Sequence, residues 1–143
     1  MSIEGEQFDP KNATSVAEWY RSVMIERGYE VDFTIDNQSL IDRYCEDVLW
    51  KMDYSTELFS KEKTAFIAYV GEVIVRNSGA SWFGEFDLYA GLDNYYNTSV
   101  GFADMERITP ENAAQKIRNK SKDESIEENI RLVVKKMNEI EPI

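Results

Sequence analysis

Apolar positions recur every three to four residues in the first third of the chain, which predicts two amphipathic helices. The first begins at Thr14 or Ser15, where Ser15 and Glu18 fit the pattern of a capping box, and it ends at Gly28. The second runs from about Ser39 to Asp53. Its charged positions are expected to face water: Asp42, Arg43, Glu46 and Asp47. Between the two helices, the sequence from Tyr29 to Ile35 predicts a short strand or an extended connection.

A third helix is predicted from about Ser60 to Asn77, and its pattern differs from the first two. The stretch from Ala65 to Val75 is apolar on nearly every face, which is typical of a central, buried helix. Gly71 lies inside it, at a cost of about 1 kcal/mol of helix propensity relative to alanine. Its presence predicts the close approach of a neighbouring backbone or of a ligand.

After Gly79 the period of the pattern drops to two, which predicts strands. One strand is expected from Ser81 to Leu92 and another from Thr98 to Met105, joined by turn residues at Gly91 to Asn94. Three of the aromatic residues in this region are assigned to the core: Trp82, Phe86 and Phe102. Together the two strands predict a small antiparallel sheet.

The C-terminal part predicts two more helices. Thr109-Pro110-Glu111 has the features of a helix start, and Lys116, Arg118 and Lys120 would complement the negative end of that helix. The last helix covers about Glu124 to Glu139. The expected fold class is therefore α+β, with a mobile segment at residues 1–13 and a single domain at residues 14–143.

The net charge narrows the range of partners. Among 143 residues, 27 acidic side chains oppose 16 basic ones, which gives a net charge of −11. Such a charge repels nucleic acid and anionic membrane surfaces, so neither is an expected partner, whereas a basic protein is. The first residues lack the features of a signal peptide, and the apolar run from Thr64 to Val75 is too short for a bilayer. A cytoplasmic location is expected.

The chain has no histidine and one cysteine, Cys45, which excludes catalytic triads built on histidine and zinc sites of the Cys/His type. No cofactor is predicted. Asp87, Asp93 and Asp104 could gather around Mg²⁺ or Ca²⁺, but their spacing matches no calcium loop, and turns favour aspartate for backbone reasons. Cys45 lies beside the apolar stripe of its helix and is predicted to be a small buried side chain rather than a nucleophile.

Glu72 and Arg76 are the first candidate site residues. They lie four residues apart on the buried helix, in the favourable order for an ion pair. In a functional interpretation, Glu72 is an acid/base group or a ligand; in a structural one, Arg76 pairs with it and reaches carbonyls near Gly79. The structural interpretation is favoured.

The remaining candidates form a predicted partner- or ligand-binding surface. Its members are aromatic residues expected to be exposed and two acidic residues near the turn: Phe83, Tyr89, Tyr95, Tyr96, Asp87 and Asp93. Aromatic side chains are common anchors at interfaces. Half of the aromatics on a small sheet must, however, pack against its helices.

Two segments resemble a known group of proteins. They are Ser39-Leu40-Ile41-Asp42-Arg43-Tyr44 and the stretch from Ala68 to Trp82, which contains Tyr69, Gly71, Glu72, Arg76 and Gly79. Together they resemble small bacterial cytosolic proteins of unknown function with a Y-x-G-E-x-x-x-R segment, some of which look like immunity proteins encoded beside toxins. Ala80 and Ser81 stand where that pattern has a second glycine. The resemblance implies no functional residues.

These observations favour a non-catalytic protein-binding module, in its most specific form an immunity-type inhibitor of a basic toxin domain. The alternative is a small enzyme or ligand-binding protein with a carboxylate-aromatic pocket around Glu72. A water-accessible cavity that touches Glu72 would favour the alternative. A flat surface with acidic and aromatic side chains would favour the first hypothesis.

Overall fold

The computed structural model describes residues 8–37, 39–90, 94, 98–102 and 108–139. Its helices and strands are α1 (Ala13–Glu26), α2 (Ser39–Asp47), α3 (Glu57–Ser78), β1 (Ser81–Gly84), β2 (Thr98–Gly101), α4 (Pro110–Ala113), α5 (Lys116–Asn119) and α6 (Ile126–Glu139). Two 3-10 turns, Ile35–Asn37 and Leu49–Lys51, flank α2. The described residues combine these helices with one two-stranded antiparallel sheet, which confirms the predicted α+β class.

The longest helix, α3, runs through the core and begins at Glu57, three residues before the predicted start. The Thr56 hydroxyl caps it by accepting the backbone N–H of Phe59 at 3.2 Å, and Gly79 ends it with a φ of 75°. Helices α1, α4 and α6 and strand β2 pack against α3. Its middle is buried on all sides, as predicted: Ala65, Phe66, Ala68, Tyr69, Val70, Val73 and Ile74.

Gly71 lies where α3 passes under two side chains. A Cβ at this position would lie 2.2 Å from Cη2 and 2.6 Å from Cζ2 of Trp82, and 3.0 Å from Cγ of Pro110. Real Cβ contacts are longer than this, so only glycine fits without a shift of the indole. The close approach predicted at Gly71 is confirmed, but it is made by side chains of β1 and α4 rather than by a backbone.

The start of α1 differs from the prediction. The Asn12 side chain accepts the N–H of Ser15 at 2.9 Å, so Asn12 is the N-cap and the predicted capping box of Ser15 and Glu18 is wrong. Residues 1–7 of the predicted mobile segment lie outside the described residues. Phe8, also in that segment, stacks on Trp19 with ring centroids 4.3 Å apart.

The segments around α2 agree with the prediction only in part. Residues from Tyr29 to Thr34 form no strand in the described part of the chain, so of the two predicted alternatives the structure has the connection. Helix α2 ends at Asp47 rather than Asp53, and the chain continues through the 3-10 turn Leu49–Lys51. The predicted helical stripe therefore spans two elements that pack against each other.

Two charged residues of α2, Asp42 and Asp47, accept hydrogen bonds from other segments of the chain. Asp42 caps α6: its Oδ1 accepts the N–H of Ile126 at 2.6 Å, and its Oδ2 accepts the N–H of Glu127 at 3.2 Å. A carboxylate at a helix N-terminus also interacts favourably with the helix dipole. Asp47 accepts the hydroxyl of Tyr29 at 2.9 Å. Asp42 is half-buried, so its predicted solvent-facing role is wrong, whereas Asp47 is exposed as predicted.

The sheet is shorter than predicted. Strands β1 and β2 pair antiparallel, with Ser81 opposite Gly101 and Gly84 opposite Thr98, and an isolated bridge joins Val100 to Ile108. β1 ends at Gly84 rather than Leu92, and β2 ends at Gly101 rather than Met105. Alternation alone does not extend a strand, since each residue of a sheet also needs a hydrogen-bonding neighbour. Residues 91–93, 95–97 and 103–107 lie outside the described residues.

The single helix predicted after Thr109 is in fact two short helices, α4 and α5. Lys116 was expected to complement a helix C-terminus, but it is almost fully buried. Its ammonium pairs with Glu46 Oε2 at 2.8 Å and donates to the carbonyl of Glu124 at 2.7 Å. Burial of an ammonium is tolerated only with such partners. Lys116 therefore joins α2, α5 and the start of α6.

Candidate functional site

The Glu72 carboxylate lies between α1, α3 and β1, and its side chain is 5% exposed. Its Oε1 accepts two hydrogen bonds, from the Thr14 hydroxyl and from Nε1 of Trp82, each at 2.8 Å. Its Oε2 accepts Nε of Arg76 at 2.8 Å, so the predicted ion pair is formed. Both oxygens are engaged by side chains of the protein, which leaves little room for a reacting group.

Arg76 extends from Glu72 toward the surface. Its Nη2 pairs with Glu18 at 3.2 Å, and the guanidinium carbon lies 3.9 Å from the centroid of the Phe33 ring. The side chain is 39% exposed and borders a wide groove of about 860 Å³, to which Asp32 also contributes. The carbonyls near Gly79, expected as partners of Arg76, are not among its contacts in the described part of the chain. The groove carries both signs of charge.

A second buried carboxylate, Glu62, was missed by the sequence analysis. It is 2% exposed and forms a bidentate pair with Arg27, with both N–O distances at 2.9 Å. It also accepts the hydroxyl of Tyr20 at 2.6 Å. The hydroxyl of Tyr44 lies 2.6 Å from that of Tyr20 and accepts Nη1 of Arg27 at 2.6 Å. All the polar groups of this cluster are paired with one another.

The environment of the cluster changes its acid–base properties. Burial, together with the neighbouring Tyr44 and Glu62, raises the pKa of Tyr20 well above its ordinary value. The hydrogen bond to Glu62 raises the pKa of Arg27. Tyr20 thus stays a neutral hydroxyl and Arg27 stays charged, which suits a structural cluster rather than proton transfer. Glu62 stands between two lysines in the polar first turns of α3, so the local pattern gave no signal that it would be buried.

A small pocket of about 80 Å³ lies on the other side of Trp82, between α3, the sheet and α4. Phe86 and Thr98 contribute to its walls. It also contains an ion pair between Lys63 and Glu111, at 3.0 Å. Glu72 does not line this pocket, although Trp82 touches both. The cavity required by the carboxylate-aromatic hypothesis is therefore not found here.

The predicted binding surface is only partly described. Tyr89 is 66% exposed, and Nζ of Lys61 lies 5.2 Å from the centroid of its ring. Leu58, one helical turn before Lys61, is 56% exposed. We call Leu58, Lys61 and Tyr89 the α3 patch. Phe83 is half-buried, whereas Asp93, Tyr95 and Tyr96 lie outside the described residues.

The aromatic residues assigned to the core agree with the structure to different degrees. Phe86 is buried, while Trp82 and Phe102 are half-buried and pack against the core. Asp87 stabilises a turn: its Oδ1 accepts the N–H of Tyr89 at 3.0 Å, and its carbonyl accepts the Asn94 amide at 2.7 Å. Asp87 therefore has the backbone role that the turn chemistry predicts.

The described residues contain no group of three or more side chains that could hold a metal ion. Asp93 and Asp104, two of the three weighed candidates, lie outside them. Cys45 is fully buried, as predicted, and burial raises the pKa of its thiol to about 12. A thiol in this state is a poor nucleophile near neutral pH. Within the described ranges, none of the helices is long and apolar enough to cross a membrane.

Comparisons with protein families, with curated proteins and with solved structures found no match to this chain.

Proposed function

We propose that this protein is a non-catalytic protein-binding module that uses the α3 patch to contact a basic protein. The observation that carries the proposal is the exposure of two large side chains, Leu58 and Tyr89, that are each adjacent to Lys61. Leu58 is 56% and Tyr89 is 66% exposed, and Lys61 connects them. Tyrosine and other large side chains that become buried at the centre of an interface provide most of its binding energy.

The charge of the chain supports a basic partner. The net charge is −11, and three exposed acidic residues are close in sequence to Leu58 or Tyr89: Asp53, Glu57 and Glu85. Opposite charges accelerate the encounter of two proteins and discriminate against wrong partners. A basic toxin domain is the most specific form of this proposal, and inhibition of that domain would then be the function.

The internal pairing of the buried carboxylates also supports binding rather than catalysis. Glu72 has three donors and Glu62 has a bidentate arginine and a tyrosine, so neither is presented to solvent as an acid or base. An enzyme needs such a group within reach of a substrate. A ligand pocket around Glu72 would require Thr14 or Trp82 to move away from it.

The test begins with capture of the partner from the native cell by the tagged chain, followed by kinetic measurements on the two purified proteins. The double substitution Leu58→Ser/Tyr89→Ser should raise the dissociation rate by roughly 30-fold or more, the effect of losing an interface anchor. Leu132→Ser is the matched control, since Leu132 is 60% exposed on α6. It should change the rate less than about twofold.

The salt dependence of the association rate tests whether the partner is basic. Association should slow markedly between low and physiological salt, while dissociation changes less, because screening weakens attraction before contact. Equal dissociation rates for the patch variant and the wild-type chain would refute the role of the α3 patch. An association rate that is independent of salt would refute the basic partner.

A further inference from the structure

A second surface feature lies between the 3-10 turn Leu49–Lys51, the start of α3 and α5. It is a cleft of about 500 Å³. Most of its lining is apolar or aromatic: Leu49, Met52, Tyr54, Phe59 and Ile117. Its volume falls within the range of roughly 300–1,000 Å³ that small-molecule sites occupy, and such sites are mostly apolar with a few polar groups.

The charged side chains of this cleft are all positive. They are Lys63, Arg118 and Lys120. Two of them share one carboxylate, because Glu111 pairs with Lys63 at 3.0 Å and with Arg118 at 2.9 Å. Lys120 has no carboxylate within ion-pair distance among the described residues, and its ammonium lies 5.3 Å from the centroid of the Tyr54 ring. In a chain of net charge −11, this cleft has an excess of positive charge.

The backbone at Lys120 is unusual. Lys120 follows α5 as its C-cap with φ 49° and ψ 40°, the left-handed conformation that glycine normally occupies at such a position. It is the one non-glycine residue with positive φ in the described part of the chain. Non-glycine residues in this conformation are found more often at functional sites than elsewhere. The buried Lys116, which binds the carbonyls of Ser121 and Glu124, holds the segment that follows Lys120.

We propose that this cleft binds a small amphiphilic anion, a carboxylate attached to an aliphatic or aromatic body. The apolar walls would bury the body, and Arg118 and Lys120 would pair with the carboxylate. A guanidinium matches the geometry of a carboxylate well. The overall negative charge of the protein repels anions that carry several charges, so a single negative charge on an apolar body suits the cleft best. This proposal does not depend on the protein partner.

The probes are three eight-carbon molecules that share a chain and differ in the head group: octanoate, 1-octanol and octylammonium. Each molecule is titrated into the full chain, and binding is monitored by ¹H–¹⁵N NMR chemical shifts and by calorimetry. Octanoate should bind with one-to-one stoichiometry and at least about tenfold more tightly than the other two, the effect expected for one charge-assisted hydrogen bond. The shifts should centre on the amides of Met52, Phe59 and Ile117.

The variant Arg118→Gln/Lys120→Gln tests the cationic residues. Arg118 is 54% exposed and Lys120 is also exposed, so the fold should persist, which circular dichroism checks. Octanoate affinity should fall about tenfold or more. Lys135→Gln/Lys136→Gln, at exposed positions of α6, removes the same charge and should change the affinity less than about twofold.

Three results would overturn the proposal. They are equal affinity for octanoate and 1-octanol, shifts scattered over the surface instead of the cleft, and equal effects of the two double variants. The proposal would also be overturned if the protein does not bind octanoate but needs Arg118 and Lys120 to bind a protein partner. The cleft would then be assigned to that partner. The α3 patch variant, Leu58→Ser/Tyr89→Ser, should bind octanoate like the wild-type chain, so the two proposals can fail separately.

Discussion

Gly71 offers the sharpest test of how α3 is packed. Replacement by alanine would place a Cβ 2.2 Å from Cη2 of Trp82 and 3.0 Å from Pro110, so the indole would have to move. The indole cannot move without weakening its 2.8 Å hydrogen bond to the buried Glu72 carboxylate. Gly71→Ala should therefore destabilise the protein, although alanine is the better helix former.

The size of the effect follows from three contributions. Overpacking in a core costs about 1–3 kcal/mol, and loss of a hydrogen bond to a charged group costs about 1.5–3 kcal/mol. The helix propensity of alanine returns about 1 kcal/mol. We expect a net loss of about 1.5–5 kcal/mol in the free energy of unfolding, which would lower Tm by roughly 5–20 °C.

The assay is urea unfolding monitored by circular dichroism, applied to a double-mutant cycle of Gly71→Ala and Trp82→Leu. Trp82→Leu alone should destabilise the chain, because it leaves a cavity and removes a donor from Glu72. In the double variant the alanine Cβ meets a smaller side chain, so the loss should be smaller than the sum of the single losses by about 1–3 kcal/mol. A Gly71→Ala protein as stable as the wild type, or strictly additive losses, would refute the packing argument.

Two further predictions concern buried groups. Arg27→Met should destabilise the fold by about 3–5 kcal/mol in urea unfolding, because Glu62 would keep Tyr20 but lose its bidentate partner. Adding Glu62→Gln to Arg27→Met should restore part of the loss. The control is Arg131→Met, which breaks an exposed ion pair and should cost no more than about 1 kcal/mol. Equal losses for Arg27→Met and Arg131→Met would contradict the prediction. The pKa of Cys45 is raised from 9.0 to about 12 by burial, so the folded state holds its proton more tightly than the unfolded state does. The contribution of Cys45 to stability is therefore complete below pH 9 and is lost between pH 9 and 12, and Cys45→Ala should flatten this part of the stability–pH curve.

The features set by local periodicity could be predicted from the sequence. A run that is apolar on nearly every face predicts α3 as the buried helix, because almost none of its surface could remain in water. The four-residue spacing of Glu72 and Arg76 places them on one side of the helix in any fold that keeps the helix, and the pair is formed at 2.8 Å. The close approach at Gly71 was indicated by the cost of glycine in a helix interior. Each of these predictions uses only the identities of residues close by in the sequence.

Features that depend on distant partners were decided by the tertiary structure alone. Glu62 and Arg27 are 35 residues apart, and Asp42 and Ile126 are 84 residues apart, yet each pair is in direct contact. Sequence pattern assigned Asp42 to solvent and Lys116 to a helix end, because an isolated helix offers charged side chains no other partner. Packing brought α2 against α5 and α6, and burial then made these charges acceptable only with hydrogen-bonding or ionic partners. The strands ended at Gly84 and Gly101 for the same reason, since a strand continues only as far as another segment supplies its hydrogen bonds.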